Sequence, residues 1–464
     1  MKLIDRVRAK ALSIWPTLFQ PVDIASLVFF RVSFGLLLVV EVWRYFEYGW
    51  IRKFYIEPQF HFTYYGFGWV QPWPGSGMYV LFSILGLSAL CVMLGLLYRL
   101  ASVLFFLSFT YVFLLDQARY LNHFYLISVI SFLMMFVPAH RSFSLDVLLN
   151  KNLRAKTAPR WALWILRAQL GLMYVFAGLA KINADWLRGS PMREMLARNV
   201  SLPLVGKYFT DERVVMLFAY GGLLLDLFVV PFLLWRKTRY FALAATVGFH
   251  VMNHFLFNIG IFPFFAIAGT LLFLAPDWPR RLFGRRTRIE SEKPAGPPKK
   301  IRKVEQPYSR AAVILLAVHF GLQLLLPLRH HLYPGDVNWT DEGQRFAWRM
   351  MLRAKQANGR FVATDRFTGQ RRMIYPAQYL HREQVATMWI QPDMILQFAH
   401  FAAEDVRRRE GWHGVAINAA VTARLNGRRG QAFVDPQVNL AAEKRSLAPA
   451  KWILPLTEPL PVPH

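Results

Sequence analysis

Apolar residues in this chain gather into runs of roughly 17–25 residues, the length a helix needs to cross a bilayer core. The runs are Ile24–Trp43, Met78–Leu97, Leu100–Leu115, His123–Pro138, Trp161–Ala180, Val214–Trp235, Tyr240–Asn258, Ile261–Ala275 and Ala311–Pro327. Hydrocarbon offers no partner to a backbone amide, so such a chain folds into membrane-spanning helices or a closed barrel. Helix-length runs select the former. The seventh and eighth runs are nearly continuous, broken only by Asn258-Ile-Gly260-Ile-Phe-Pro263. Gly and Pro there predict a tight turn or a broken helix, tolerated at membrane depth mainly where it lines a cavity.

Hydrophobic residues make up 55% of the chain and aromatics 16%, an unusual richness for a soluble domain. The 55 Lys and Arg against 28 Asp and Glu could suggest a nucleic-acid partner. Much of that excess lies between apolar runs, where it orients a membrane protein, and no nucleic acid is expected. Alternate loops carry 24 basic residues on one side and 10 on the other. The positive-inside rule then puts the N-terminus in the cytoplasm and, after nine spans, the C-terminal part outside. Met1–Trp15 is basic and amphipathic, and the first apolar run has no small-residue cleavage site after it, unlike a cleavable signal peptide. Within the basic loop 277–310, Arg285–Gln306 reads as a solvated cytoplasmic linker beside anionic lipid. Cys91 is the single cysteine, which excludes an intrachain disulfide.

From Leu328 onward the composition turns soluble, dividing the chain into a helical membrane domain (1–327) and a C-terminal domain (328–464). Asp365-Arg-Phe-Thr-Gly369 and Asn426-Gly-Arg-Arg-Gly430 predict two hairpins, with Arg360–Val362, Arg372–Tyr375, Val415–Arg424 and Gln431–Val434 as strands. Pro392–Glu410 has helical spacing between them. The expected fold is a polytopic α-helical membrane protein of about 8–9 spans with an extracytoplasmic α+β domain. That domain carries 19 Lys and Arg against 12 Asp and Glu. Such a face suits an acidic polypeptide, and it also suits an ordinary soluble surface.

Once the spans are oriented, several polar residues fall at one level. Asn122 and His123 open the fourth run, Lys181 ends the fifth, and His250, Asn253 and His254 occupy the outer half of the seventh. His330 and His331 follow the ninth. Ionisable groups at membrane depth are costly and are functional candidates by default. Each also has a plain reading. Lys181 can snorkel to the interface, Asn122 and His123 can cap a helix, and His330 and His331 can sit at the interface. His250 and His254 share a helical face as metal ligands would, yet lack the Glu of a zincin motif. As a set, the group suits deprotonation in a nonpolar pocket. A lysine held away from water can serve as a neutral base, while His and Asn orient a substrate or stabilise an oxyanion.

At these residues the chain resembles the vitamin K-dependent gamma-glutamyl carboxylase family. The similar segments are Tyr120-Leu-Asn-His-Phe-Tyr-Leu126, Phe176-Ala-Gly-Leu-Ala-Lys-Ile-Asn-Ala-Asp-Trp-Leu187, and Phe249-His-Val-Met-Asn253 with Phe257-Asn-Ile-Gly260. Asn338-Trp-Thr340, Phe346-Ala-Trp-Arg-Met-Met351 and Phe433-Val-Asp-Pro-Gln-Val438 follow in the family's order. The resemblance implies that Lys181 deprotonates vitamin K hydroquinone, with Asn122, His123, His250 and His330 as further catalytic residues. It implies Asn122, His123, His250, Met350 and Met351 against the quinone. O2 and CO2 are the implied co-reactants, with no metal. The implied partners are a glutamate-containing protein or peptide and membrane lipid, and the implied products are γ-carboxyglutamate and the 2,3-epoxide.

The chain stops soon after the Asp-Pro motif, without the long extension of animal enzymes, and Cys91 alone cannot form their disulfide. Gln437 stands where a propeptide-holding basic residue is expected, and Lys355 where animal enzymes have Arg. Short length and a basic N-terminus suit a bacterial relative, whose outer side would be periplasmic. Two other readings stay open: a related membrane quinol epoxidase or oxidase that does not carboxylate glutamate, and a nonenzymatic transporter or lipid-binding protein. A transporter predicts repeated halves, and no convincing internal repeat is visible.

Overall fold

The computed structural model describes residues 16–257, 259–282 and 310–461. The basic segment Met1–Trp15, Asn258 and the Arg285–Gln306 linker lie outside the described residues. A short strand β1 (Pro21–Asp23) leads into helices α1 (Ala25–Glu47), α2 (Gly77–Leu94), α3 (Tyr98–Leu114) and α4 (Asn122–Met134). Strand β2 (Thr157–Pro159) pairs antiparallel with β1 and feeds α5 (Arg160–Ala180). Then come α6 (Glu212–Leu234), α7 (Arg239–Phe257), α8 (Phe262–Thr270) and α9 (Arg310–Leu325). Neighbours in sequence pack together, and α8 returns against α1, closing the bundle.

All nine apolar runs are therefore helical. Six helices are long and apolar enough to cross a membrane, the sixth being α9 together with the 3-10 turns that continue it to Leu332, whereas α3, α4 and α8 are shorter. The 13 residues of α4 rise only about 20 Å, less than a hydrocarbon core of about 30 Å. This corrects the expected span His123–Pro138, which stops at Met134. Local chemistry sets the helix ends. Gly95 (φ 65°) ends α2 in the left-handed conformation open to glycine, close enough that a Cβ would meet Arg31 and Ser144 at 2.5 Å. The Asp146 carboxylate accepts from the Leu97 and Tyr98 amides at the start of α3, at 2.7 and 3.1 Å.

The C-terminal domain is built on a four-stranded antiparallel sheet of order β4-β3-β5-β6. Its strands are β3 (Lys355–Asp365), β4 (Arg371–Ile374), β5 (Val415–Leu425) and β6 (Gln431–Ala432). Both expected hairpins are present, β3–β4 and β5–β6. The long β3–β5 ladder, from Lys355 opposite Leu425 to Asp365 opposite Val415, joins them into one sheet. Alternate residues of β5 (Val415, Ile417, Ala419, Val421, Ala423, Leu425) are buried, the period of two that a one-sided sheet requires. Helices α10 (Arg382–Ile390) and α11 (Pro392–Glu410) pack on this sheet. Proline opens α11 and Gly411 (φ 67°) closes it, the end signals that made it readable. Phe62, from the α1–α2 connection, joins this domain's core with Trp339, Phe361 and Phe398.

Lys355 lies at the base of the sheet with its ammonium buried. It donates to the Ile390 carbonyl at 2.8 Å, to Asp341 Oδ2 at 2.9 Å and to the Trp339 carbonyl. Burial lowers its pKa to about 8, and the Asp341 carboxylate offsets only part of that. The folded chain therefore binds this proton less tightly than the unfolded one. Unfolding takes up a proton between pH about 8 and about 10.4, and stability rises with pH across that window. The full change is on the order of 3 kcal/mol. Thermal unfolding of wild type and Lys355→Met from pH 7 to 10.5 should show this rise only in wild type; parallel profiles would contradict it.

Candidate active site

Helices α5 and α6 approach closely at Gly178, where a Cβ would meet the Leu227 side chain at 2.7 Å and its backbone nitrogen at 3.0 Å. That approach sets Lys181, at the end of α5, against Asp226 on α6. Lys181 Nζ donates to Asp226 Oδ2 at 2.6 Å and to the Ala177 carbonyl at 3.3 Å, 5.2 Å from the Trp186 ring centroid. Both charged side chains are buried. The rest of the segment holds this geometry. Asn183 Oδ1 accepts from the Trp186 amide at 3.0 Å, and Trp186 Nε1 donates to the Ala219 carbonyl of α6 at 2.9 Å. Asp185 turns towards the C-terminal domain, where Arg428 and Asn426 donate to it.

His250 is buried on α7 with Thr246 and Asn253 on the same helix. Its Nε2 lies 2.8 Å from Tyr174 Oη, and its Nδ1 is buried without a partner among the described residues. The Phe262 ring stands between two histidines, edge-on to His250 at 5.6 Å and stacked with His123 at 5.7 Å. Asn122 Oδ1 accepts from Tyr120 Oη at 3.0 Å, and its Nδ2 donates to the Arg349 carbonyl at 3.3 Å. That carbonyl belongs to a loop in which Phe346, Trp348 and Met351 all have φ near 60°. Each such residue costs about 1–2 kcal/mol, and it persists where packing over-determines it. Trp348 supplies that packing, fully buried and stacked on Tyr125 at 4.7 Å.

These groups line one cavity of roughly 790 Å³, a volume suited to a small organic molecule. Asn122, His123, Lys181, Asp226, His250 and Asn253 supply polar tips, while Met173, Phe249, Phe262, Met350 and Met351 supply apolar wall. Ile259 and Gly260 line it too, so the broken backbone between α7 and α8 does face a cavity.

The HTTM domain family matches residues 19–278, more than half of the chain, and the vitamin K-dependent gamma-carboxylase lumenal domain matches residues 308–459. The chain belongs to the vitamin K-dependent gamma-carboxylase family. No solved structure matches it. As a member of that family it is an integral membrane protein of carboxylase type, with a C-terminal domain of the family's lumenal kind. The second matched range begins at residue 308 and so includes α9, ahead of the shift in composition at Leu328.

Of the carboxylase-type residues read from sequence, Asn122, His123, Lys181, His250, Met350 and Met351 meet at the cavity. His330 does not. Its Nδ1 lies 2.8 Å from the Pro327 carbonyl and its ring is tilted against His331 at 4.0 Å, and neither histidine lines the cavity. His254 is exposed on the outer face of α7, one turn from the buried His250. Sequence reading missed Asp226 and Tyr174, and also Glu41 and Arg44, which pair at 2.7 Å on the cavity wall. Asp226 and Glu41 did carry a signal: each is a carboxylate inside an apolar run, where its cost demands a reason.

Proposed function

We propose that this protein is a vitamin K-dependent gamma-glutamyl carboxylase acting at the outer face of a membrane, with its N-terminus cytoplasmic and its C-terminal domain extracytoplasmic. The observation that carries the reading is the buried Lys181–Asp226 pair on the wall of a mostly apolar cavity that also presents Asn122, His123 and His250. Oxidation of vitamin K hydroquinone by O2 to its 2,3-epoxide supplies the base that removes a glutamate γ-proton, and CO2 adds to that carbon. The proposed products are the epoxide, water and γ-carboxyglutamate. No metal ion is required.

The cavity fits such a substrate. A bicyclic ring with two oxygens needs flat apolar walls and polar groups at its edge, and Phe262, Met350 and Phe249 stand beside Asn122, His123 and His250. The unpartnered His250 Nδ1 is a free polar site of the kind a ring oxygen would satisfy. In the proposed step Lys181 and Asp226, 2.6 Å apart, hold one proton between them. The pair has room for a second: Lys181 takes the quinol proton as it passes its own to Asp226. An ammonium then faces the oxygen left negative, and a neutral carboxylic acid stands behind it. Asn122 is held by Tyr120 and the Arg349 carbonyl, so its orientation is set before a substrate arrives.

The test uses purified protein in nanodiscs with vitamin K hydroquinone, O2, labelled bicarbonate and a glutamate-rich peptide. Epoxide and peptide-bound label should appear together. Epoxide without label would assign a quinol-oxidising relative that does not carboxylate, a reading that the exposed, uncharged Gln437 favours over loss of the quinone site. Neither product would overturn the proposal.

A further inference from the structure

A second cavity, of roughly 690 Å³, is lined by Thr340, Glu342, Arg345 and Phe346 of the same loop that lends Met350 and Met351 to the first. The partition between them is thin. The Phe346 amide donates to Tyr120 Oη at 2.8 Å, and that hydroxyl donates to Asn122 Oδ1 at 3.0 Å. Two hydrogen bonds thus lead from a wall of one cavity to a wall of the other.

The second cavity presents two guanidinium groups without a counterion. Arg345 lies 5.9 Å from the Tyr64 and Tyr120 ring centroids, donates to Gln117 Oε1, and keeps a buried Nε without a partner. Arg329 donates to the Arg345 carbonyl at 2.6 Å and lies 5.7 Å from the Phe346 centroid. Among the described residues neither meets a carboxylate. Of the acids on this wall, Asp393 holds Arg445 at 2.6 Å and Asp341 holds Lys355 and Arg353; Glu342 accepts from the Ala450 amide at 2.7 Å, and neither it nor Glu443 pairs with Arg345 or Arg329. Two part-buried cations outside any ion pair have lost hydration that a ligand carboxylate would replace.

We infer that this second cavity binds a carboxylate side chain of the acidic polypeptide substrate, on Arg345 and Arg329, beside the glutamate that enters the first cavity. The inference rests on the proposed carboxylase reading for the identity of the polypeptide. A polypeptide is favoured over a lipid because most of the wall is not membrane helix. Leu114 and the 326–333 stretch are the wall's contributions from helix ends, and the remainder comes from the 64–67 loop, Gln117 and the chain from Thr340 onward.

The experiment measures binding of a fluorescent glutamate-rich peptide to full-length protein in phosphatidylcholine nanodiscs, apart from turnover. Arg345→Gln or Arg329→Gln should each weaken binding about ten- to a hundredfold, the loss of one charge-assisted contact. The Arg→Lys variants should recover part of it, and the glutamine version of the peptide should bind wild type as weakly as the variants bind the original. Unchanged binding in both Gln variants, with epoxide still formed, would overturn this inference and leave the carboxylase reading standing. Arginine-dependent binding without any epoxide would do the reverse. Competition by phosphatidylglycerol in the nanodisc, lost in the same variants, would assign the cavity to a lipid headgroup and overturn the inference.

Discussion

Epoxide formation should fall about a thousandfold in Lys181→Ala, near the middle of the range of roughly 10²–10⁴ that a positioned base contributes. The geometry adds a complication that the lysine alone does not reveal. Removing it strands Asp226, which is buried and 2.6 Å from the missing ammonium. An uncompensated buried charge costs about 3–5 kcal/mol unless it takes up a proton. A dead Lys181→Ala variant by itself therefore cannot separate lost chemistry from lost folding. The double variant Lys181→Ala with Asp226→Asn can. It removes both charges, so thermal unfolding should return most of the way to wild type while epoxide formation stays at the single variant's level. Asp226→Asn alone keeps the lysine and an acceptor but no second proton site, and should lower epoxide about a hundredfold. Normal epoxide from that variant would sink the shared-proton pair and leave Lys181 as the sole base. Normal epoxide from Lys181→Ala would sink the base assignment itself.

How far the chain could be read before its structure depends on whether each feature leaves a local mark. Membrane helices do, because a helix that crosses a bilayer needs a long apolar run; all nine runs are helical, although only six of the helices are long enough to span. Helix α11 does too, through Pro392 and Gly411. The β3–β5 ladder leaves none. It pairs residues about sixty apart, and each strand looks alike whether it joins a hairpin or a sheet. Helix α10 was also missed; its mixed face gives little periodic signal. The cavity divides the same way. Lys181, His123 and His250 stood out as costly groups at membrane depth, but the partner of Lys181 is decided by how closely α5 and α6 approach at Gly178. Met350 and Met351 reach the wall through Phe346, Trp348 and Met351 itself, all left-handed and none glycine; Gly343 (φ 76°) marks a turn earlier in the loop but not these three. Resemblance alone pointed to them. His330 shows the converse: it shares a level with the set yet faces its own short helical turn.

Asp185→Ala should loosen the C-terminal domain from the membrane bundle and cost about 3–5 kcal/mol, the toll for breaking a buried ion pair. Arg428 grips Asp185 with both ends of its fork, at 2.6 and 2.8 Å, and Asn426 Nδ2 donates to the same carboxylate at 2.7 Å. Both charged side chains are under a tenth exposed. Removing the acid leaves a buried guanidinium and an amide without their acceptor. The exposed Arg193–Glu212 pair, with 31% and 47% of its side chains accessible, gives a comparison. Glu212→Ala should cost less than about 1 kcal/mol. Hydrogen exchange at the Asn426–Gly430 turn should rise in Asp185→Ala and stay unchanged in Glu212→Ala, and Asp185→Leu combined with Arg428→Met should restore most of the lost stability. Equal shifts in thermal unfolding for the two alanine variants would contradict a buried clasp. The position of that clasp ties stability to the candidate chemistry. Asp185 follows Lys181 closely, across the break at Asn183, and the domain it holds carries the loop of Met350 and Met351 that lines the same cavity. Loosening it should therefore weaken quinone binding as well, through a site that touches none of the cavity itself.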